Sequence, residues 1–257
     1  LRGPGLVLVS TVLVVSVMPW GLRGALLARI VGGMAAAIAL FAVLAPLYRR
    51  SRGSYQEEHH IIKGMWLPMS VFIASYTVLL HFDRLFVRNF LLEDSGGYAA
   101  VMTLGQVPMW LISPIAYVLF PLASSEHATG KDVSRFQAQA LKLGLGVGLV
   151  CVVVLSLTAE FLFGIWKSSF VPYAGLVGLY TFAMSLQAVT EVVARAELAR
   201  HRYGFLWILG IVTLAMCAGM YFFSDRMTLM RVLVILTAAR IVILAGVLVY
   251  GRMNHTE

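Results

Sequence analysis

The sequence predicts an all-α, polytopic membrane protein, and three observations carry this prediction. Of the 257 residues, 60% are hydrophobic and only 12% are charged, whereas soluble domains carry about 25% charged residues. The apolar residues form runs close to the length of about 20 residues that a helix needs to cross a bilayer. These runs lack the alternation of polar and apolar residues that is typical of membrane β-strands. The composition therefore excludes a soluble enzyme, and equally a collagen-like, disulfide-rich or disordered chain.

Eight candidate spans follow one another along the chain. The first begins near the start of the sequence, and the second carries the helix-favouring run Ala35–Ala37. The third ends at Asp83-Arg84, and the fifth contains glycines at 144, 146 and 148 that allow close helix packing. The sixth carries polar residues, the seventh is strongly apolar, and the eighth is apolar except for Arg240. The spans are predicted at Leu6–Trp20, Ile30–Tyr48, Met65–Phe82, Tyr98–Pro121, Leu141–Phe163, Tyr173–Ala194, Gly204–Phe223 and Leu229–Tyr250.

The fourth span differs from the others because it contains Pro108, Pro114 and Pro121. Proline frees a backbone carbonyl within a helix, which is tolerated where a neighbouring helix or cavity water satisfies it. Broken helices of this kind tend to line transport pathways. An ordinary kinked packing helix is the alternative.

The distribution of basic residues predicts that both termini of this chain are cytoplasmic. With that orientation, twelve of the twenty basic residues fall on cytoplasmic segments, seven on outer ends, and Arg240 within a span. Basic residues accumulate on the cytoplasmic side of membrane proteins. The net charge of +8 is thus explained by topology, and we expect no nucleic-acid partner.

Charged and polar residues at membrane depth are the candidate functional residues. Arg240 lies near the middle of the eighth span, where an arginine normally faces a cavity or an ion-pair partner such as Glu191 or Glu160. Arg84 and Arg88 lie near a predicted outer end, where they either bind an anion or contact the headgroups of membrane lipids. We expect Arg240, Arg88 and Arg84 to contact an anionic substrate, with Asp83 orienting the arginines.

Three further residues are candidates for supporting roles. Gln106 and Gln187 lie within spans and offer hydrogen bonds to sugar hydroxyls or to neighbouring helices. Glu160 is a candidate proton carrier for ion coupling, whereas Glu191 is expected to pair with Arg195 one helical turn away. No residue set indicates a nucleophile with its base, and we expect neither enzymatic activity, a metal nor a cofactor.

The order of these features resembles the polysaccharide flippases of the multidrug/oligosaccharidyl-lipid/polysaccharide exporter superfamily. The residues that carry the resemblance are Asp83-Arg84, Gly96-Gly97-Tyr98, Pro108 and Phe120-Pro121, followed by basic loops at Lys131–Lys142 and Arg195–Arg202. Such proteins have two six-helix lobes. The resemblance therefore implies that residues 1–50 are the last two helices of a first lobe, residues 51–64 a cytoplasmic linker, and residues 65–257 the second lobe. We expect further helices to precede Leu1.

The resemblance also implies a function. The protein would flip a polyprenyl-diphosphate-linked oligosaccharide across the cytoplasmic (inner) membrane for surface polysaccharide synthesis, by alternating access. Polysaccharide polymerase and glycosyltransferases of the same pathway would be its partners. A peptidoglycan-precursor flippase and a cation-coupled multidrug exporter are alternatives within the superfamily. A membrane-embedded glycosyltransferase is a further alternative, although the predicted loops are too short for it, and a purely structural membrane subunit is another.

Overall fold

A computed structural model of the protein describes residues 55–128, 134–200 and 202–253. The chain divides into two compact units, residues 1–63 and 64–257, and the side-chain contacts described below lie within the second unit. The described residues form α-helices and short 3-10 segments, with no β-strand among them. The predicted all-α class is confirmed.

Seven helices account for most of the described residues. They are α1 (Tyr55–Phe90), α2 (Ser95–Gly105), α3 (Val107–Ala128), α4 (Ser134–Trp166), α5 (Val177–Ala199), α6 (Phe205–Phe222) and α7 (Leu229–Met253). A 3-10 segment at Ser168–Leu176 leads into α5, and another at Ser224–Arg226 joins α6 to α7.

Six helical stretches in the described residues are long and apolar enough to cross a membrane, and α2 and α3 together form one of them. These stretches coincide with the third to eighth predicted spans, so multi-pass helical character is confirmed. The first two predicted spans, Leu6–Trp20 and Ile30–Tyr48, lie outside the described residues.

Helix α5 forms the centre of the bundle and packs against α2, α3, α4 and α7. Every residue from 183 to 194 is buried, so three turns of the helix are covered on all sides. Gly144 and Gly148 of α4 face α5, because an added Cβ would lie 3.3 Å from Val189 and 2.8 Å from Ser185 respectively. Gly146 faces open space. The expectation that these glycines permit close helix packing is confirmed for two of the three.

Helix α1 extends beyond the predicted span at both ends. It begins at Tyr55, inside the predicted linker 51–64, and it continues to Phe90 rather than ending at Phe82. The helix continues past Asp83 because that side chain is hydrogen-bonded within the bundle, while Phe86 and Val87 one turn later are buried. Asp83 to Arg88 therefore belong to the helix, and the predicted end of the third span at Phe82 is wrong.

Candidate functional site

Helix α1 carries an exposed polar stripe, which consists of Ser70, Thr77, His81, Arg84 and Arg88. These residues are separated by seven, four, three and four positions, a spacing that places them on one face of an α-helix. A second exposed face of α1 is apolar, and the remaining face is buried. The helix therefore presents three different surfaces to its surroundings.

The exposed surfaces of α4, α6 and α7 differ from the polar stripe in composition. Large apolar side chains dominate them, such as Leu157 and Phe161 of α4, Trp207 of α6 and Val242 of α7. Such surfaces are suited to contact with lipid tails. The polar stripe is not, because arginine and histidine side chains at membrane depth normally face protein or a water-filled cavity.

A cleft of about 380 Å³ lies between the polar stripe and α2. Arg84 and Arg88 line it from α1, and Ser95, Gly96 and Tyr98 line it from the first turn of α2. None of the described residues that line this cleft is acidic. The structure thus brings two of the predicted anion contacts together, one turn apart, beside the N-terminus of a helix whose dipole favours negative charge.

The chain is interrupted at the far end of α2, where α2 ends at Gly105 and α3 begins at Val107. Pro108 has no N–H to bond to Leu104, so the break falls where a helical hydrogen bond is missing. Gln106 lies at the break and is half-buried. Close packing against α5 fixes this point, because a Cβ on Gly105 would lie 2.4 Å from the Tyr180 ring. The predicted interruption is present before Pro108 and packs against the core, whereas Pro114 and Pro121 lie within α3.

Arg240 is fully buried and lies behind the cleft rather than in it. Its Nη2 donates a hydrogen bond to the backbone carbonyl of Leu79 on α1, at 3.1 Å, while Nε and Nη1 have no hydrogen-bond partner within the protein. The alternative of a direct hydrogen-bonded ion pair with Glu191 or Glu160 is not seen. Arg240 therefore joins α7 to α1 in the core of the bundle.

Asp83 is also fully buried, and it connects the core to the cleft. One carboxylate oxygen, Oδ2, accepts a hydrogen bond of 2.7 Å from the hydroxyl of Tyr98, whose side chain lines the cleft. The Tyr98 ring makes an edge-to-face contact with Tyr180, with ring centroids 5.9 Å apart. The charges of Asp83 and Arg240 act on both phenols. Asp83 is thus placed to hold Tyr98 and the start of α2 beside Arg84.

A second buried polar cluster surrounds Glu191 on α5. Its Oε1 accepts hydrogen bonds from Nε and Nη2 of Arg195, at 2.9 and 2.6 Å. Its Oε2 accepts from Tyr76 of α1 and Ser113 of α3, at 2.9 and 2.8 Å. The Arg195 guanidinium also lies 4.2 Å from the ring centroid of Tyr117. The expected Glu191–Arg195 pair is present. The hydrogen bonds from Tyr76 and Ser113 to Glu191 connect α5 with α1 and α3.

The two remaining candidates lie in contrasting settings. Gln187 is buried one turn before Glu191, and its side chain lies close to the Tyr76 hydroxyl. Glu160 is exposed on α4, away from the cleft and from both buried clusters. Among the described residues, no group of three or more His, Cys, Asp or Glu side chains is arranged to hold a metal ion.

Sequence reasoning missed His81, Tyr76, Ser113 and Tyr180 as members of these sites. His81 could have been predicted to share a helix face with the two arginines, because it lies three residues before Arg84 and seven before Arg88. The other three gave none, because their partners lie on different helices. Comparison of the chain with protein-family models, with curated proteins and with solved structures gives no match.

Proposed function

We propose that the protein is a membrane transporter, and that the polar stripe of α1 lines the path of its substrate. The proposed substrate is an oligosaccharide linked to polyprenyl diphosphate, flipped from the cytoplasmic to the outer leaflet of the cytoplasmic membrane. Alternating access is the proposed mechanism, with the polar stripe exposed to each side of the membrane in turn. The proposal includes a cytoplasmic location for both termini of this chain.

The polar stripe is the observation that carries this proposal. Covering Arg84 and Arg88 with lipid tails would cost several kcal/mol, because both side chains are charged. The apolar surfaces of α4 and α6 show where lipid contact is favourable. A hydrated cavity on the α1 side of the bundle would keep the polar stripe in water while the apolar surfaces of α4 and α6 contact lipid. A transporter of polar cargo requires such a cavity.

The cleft supports an anionic cargo. Guanidinium groups are always charged and bind phosphate oxygens through two parallel hydrogen bonds. Arg84 and Arg88 stand one turn apart at the cleft, close enough together to share a diphosphate. Ser95 lies on the opposite wall, where its hydroxyl already donates a hydrogen bond of 2.7 Å to the carbonyl of Leu92. In this arrangement Arg240 and Asp83 position the cleft from behind, because both are closed off from solvent.

Replacement of Arg84 and Arg88 by glutamine tests the proposal in cells that make the full protein. Losing a charge-assisted hydrogen bond weakens binding by about 1.5–3 kcal/mol, roughly 10- to 100-fold. The double variant is therefore expected to lose most surface polysaccharide and to accumulate lipid-linked oligosaccharide, while its amount in the membrane stays at the wild-type level.

Arg226→Gln is the matched control, because Arg226 is an exposed arginine that lines a different cleft at the α6–α7 turn. It is expected to leave the surface polysaccharide unchanged. Wild-type polysaccharide in the Arg84→Gln, Arg88→Gln variant would contradict the proposal. Cell lysis with accumulated murein precursor would instead identify a peptidoglycan-precursor flippase.

A further inference from the structure

The core of the bundle contains a group of polar atoms that have no partner within the protein. They are Oδ1 of Asp83 on α1, the hydroxyl of Tyr180 on α5, and Nε and Nη1 of Arg240 on α7. All three residues are completely inaccessible from the surface. An unsatisfied buried polar group costs about 1–3 kcal/mol, and more when it is charged. Four such atoms in one region require a common explanation.

The three side chains converge on one region of the core. Tyr98 donates to the other oxygen of Asp83 and contacts the ring of Tyr180. Arg240 is held at the carbonyl of Leu79, which lies one helical turn before Asp83 on the same face of α1. The Tyr180 hydroxyl lies near Asp83 and Arg240, and also near the side chain of Gln106, which can donate to its oxygen and leaves its hydrogen without an acceptor. The unpartnered atoms therefore belong to one site between α1, α5 and α7.

We propose that this site binds water molecules, which bridge Asp83, Tyr180 and Arg240. The carboxylate oxygen only accepts hydrogen bonds, the guanidinium nitrogens only donate them, and the hydroxyl does both. Water is the small ligand that matches this mixture, since a buried water makes about three hydrogen bonds to otherwise unsatisfied groups.

The charges of the site exclude an ion as the occupant. Asp83 carries one negative charge and Arg240 one positive charge, so the site as a whole is neutral. A chloride ion would satisfy the donors of Arg240 but would be repelled by Asp83. A cation such as sodium would satisfy Asp83 but would be repelled by Arg240. A neutral molecule that donates and accepts avoids both penalties.

Bound water at this position has a consequence for α1. The contacts of α1 with α7 and α5 then include hydrogen bonds through water in place of close apolar packing. Water hydrogen bonds can be remade after a small displacement, whereas interdigitated side chains resist it. This inference concerns the core of the bundle and stands independently of the proposed substrate.

Radiolytic hydroxyl-radical footprinting of the wild-type protein tests the site directly, because radicals formed from bound water modify adjacent side chains that bulk solvent does not reach. Tyr180 is expected to be modified several-fold faster than Phe163 and Phe205, which are equally buried and have rings of similar reactivity. Equal rates for Tyr180 and the two phenylalanines would overturn the proposal.

Unfolding temperatures in different salts test whether the core site binds water or an ion. A variant with Arg84→Gln and Arg88→Gln, whose cleft no longer attracts anions, is expected to unfold at the same temperature in sodium chloride, sodium gluconate and choline chloride of equal ionic strength. A lower midpoint in gluconate would reveal an anion site, a lower midpoint in choline would reveal a cation site, and either result would overturn the proposal. Asp83→Asn leaves Arg240 uncompensated, and its midpoint is expected to become higher in chloride than in gluconate.

Discussion

Asp83 and Arg240 are oppositely charged, fully buried side chains in the same region of the core. Removing one member of a buried pair leaves an uncompensated charge, which costs about 3–5 kcal/mol. Asp83→Asn and Arg240→Met are therefore each expected to lower the unfolding midpoint strongly. The double variant is expected to be more stable than the sum of the two losses predicts, because it contains no unbalanced charge. Thermal unfolding of the purified protein measures all three midpoints.

Pairing Arg240→Met with Glu191→Gln provides the control for this cycle. Glu191 has its own partners in Arg195, Tyr76 and Ser113, so the two losses are expected to be nearly additive. Additive losses for Asp83→Asn and Arg240→Met as well would show that their charges do not compensate one another.

The contribution of Tyr76 to stability can be measured with a single substitution. Its hydroxyl donates to Glu191, so Tyr76→Phe removes one hydrogen bond to a buried carboxylate without changing the ring. We expect a loss of about 1.5–3 kcal/mol in the free energy of unfolding. Tyr221→Phe is the control, because Tyr221 is exposed, and its free energy of unfolding should stay at the wild-type value. Equal effects of the two variants would show that the Tyr76–Glu191 bond adds no stability.

At the scale of whole elements, the contact between α4 and α5 depends on glycine. A Cβ on Gly148 would lie 2.8 Å from the Cβ of Ser185, whereas a Cβ on Gly146 would meet open space. Gly148→Ala is expected to cost about 1–3 kcal/mol through overpacking. Gly146→Ala on the same helix is expected to be neutral or slightly stabilising, because alanine favours helix more than glycine does. Chemical denaturation of both variants measures the difference, and equal midpoints would contradict it.

The helices themselves were predictable from the sequence, because apolar runs of about 20 residues specify spans locally. The bounds of α6 and α7 follow closely from the apolar runs at 204–223 and 229–250. The extent of α1 was not predictable. Asp83 reads as the end of an apolar run, and only Tyr98 on another helix shows that it is buried.

The candidate site was predictable in the same partial way. Arg84 and Arg88 could be selected because charged residues near membrane depth are rare, and they do share a cleft. Of the residues that bind Glu191, only Arg195 could be predicted from the sequence, because it lies four residues away on the same helix. Its Tyr76 and Ser113 members lie 115 and 78 residues away in sequence, and no local pattern links them.

At the scale of the whole molecule, the described helices alternate in direction, so their ends separate into two groups. One group holds the cleft of Arg84, the α2 start and the α6–α7 turn. The other group holds Arg195, Arg202 and Arg252, where Glu197 is buried beside Arg200. We propose that the second group is cytoplasmic, because basic residues accumulate on the cytoplasmic side of membrane proteins.

Cysteine accessibility tests this orientation. In a chain with Cys151→Ala and Cys217→Ala, single cysteines are introduced at Glu93 and Asp225 on the first group of ends, and at Met253 on the second. An impermeant maleimide applied to intact cells is expected to label Glu93→Cys and Asp225→Cys but not Met253→Cys. After permeabilisation, all three positions should be labelled, because Met253 is exposed on the protein surface. Labelling of Met253→Cys alone in intact cells would invert the topology, and the cleft of Arg84 and Arg88 would then open toward the cytoplasm.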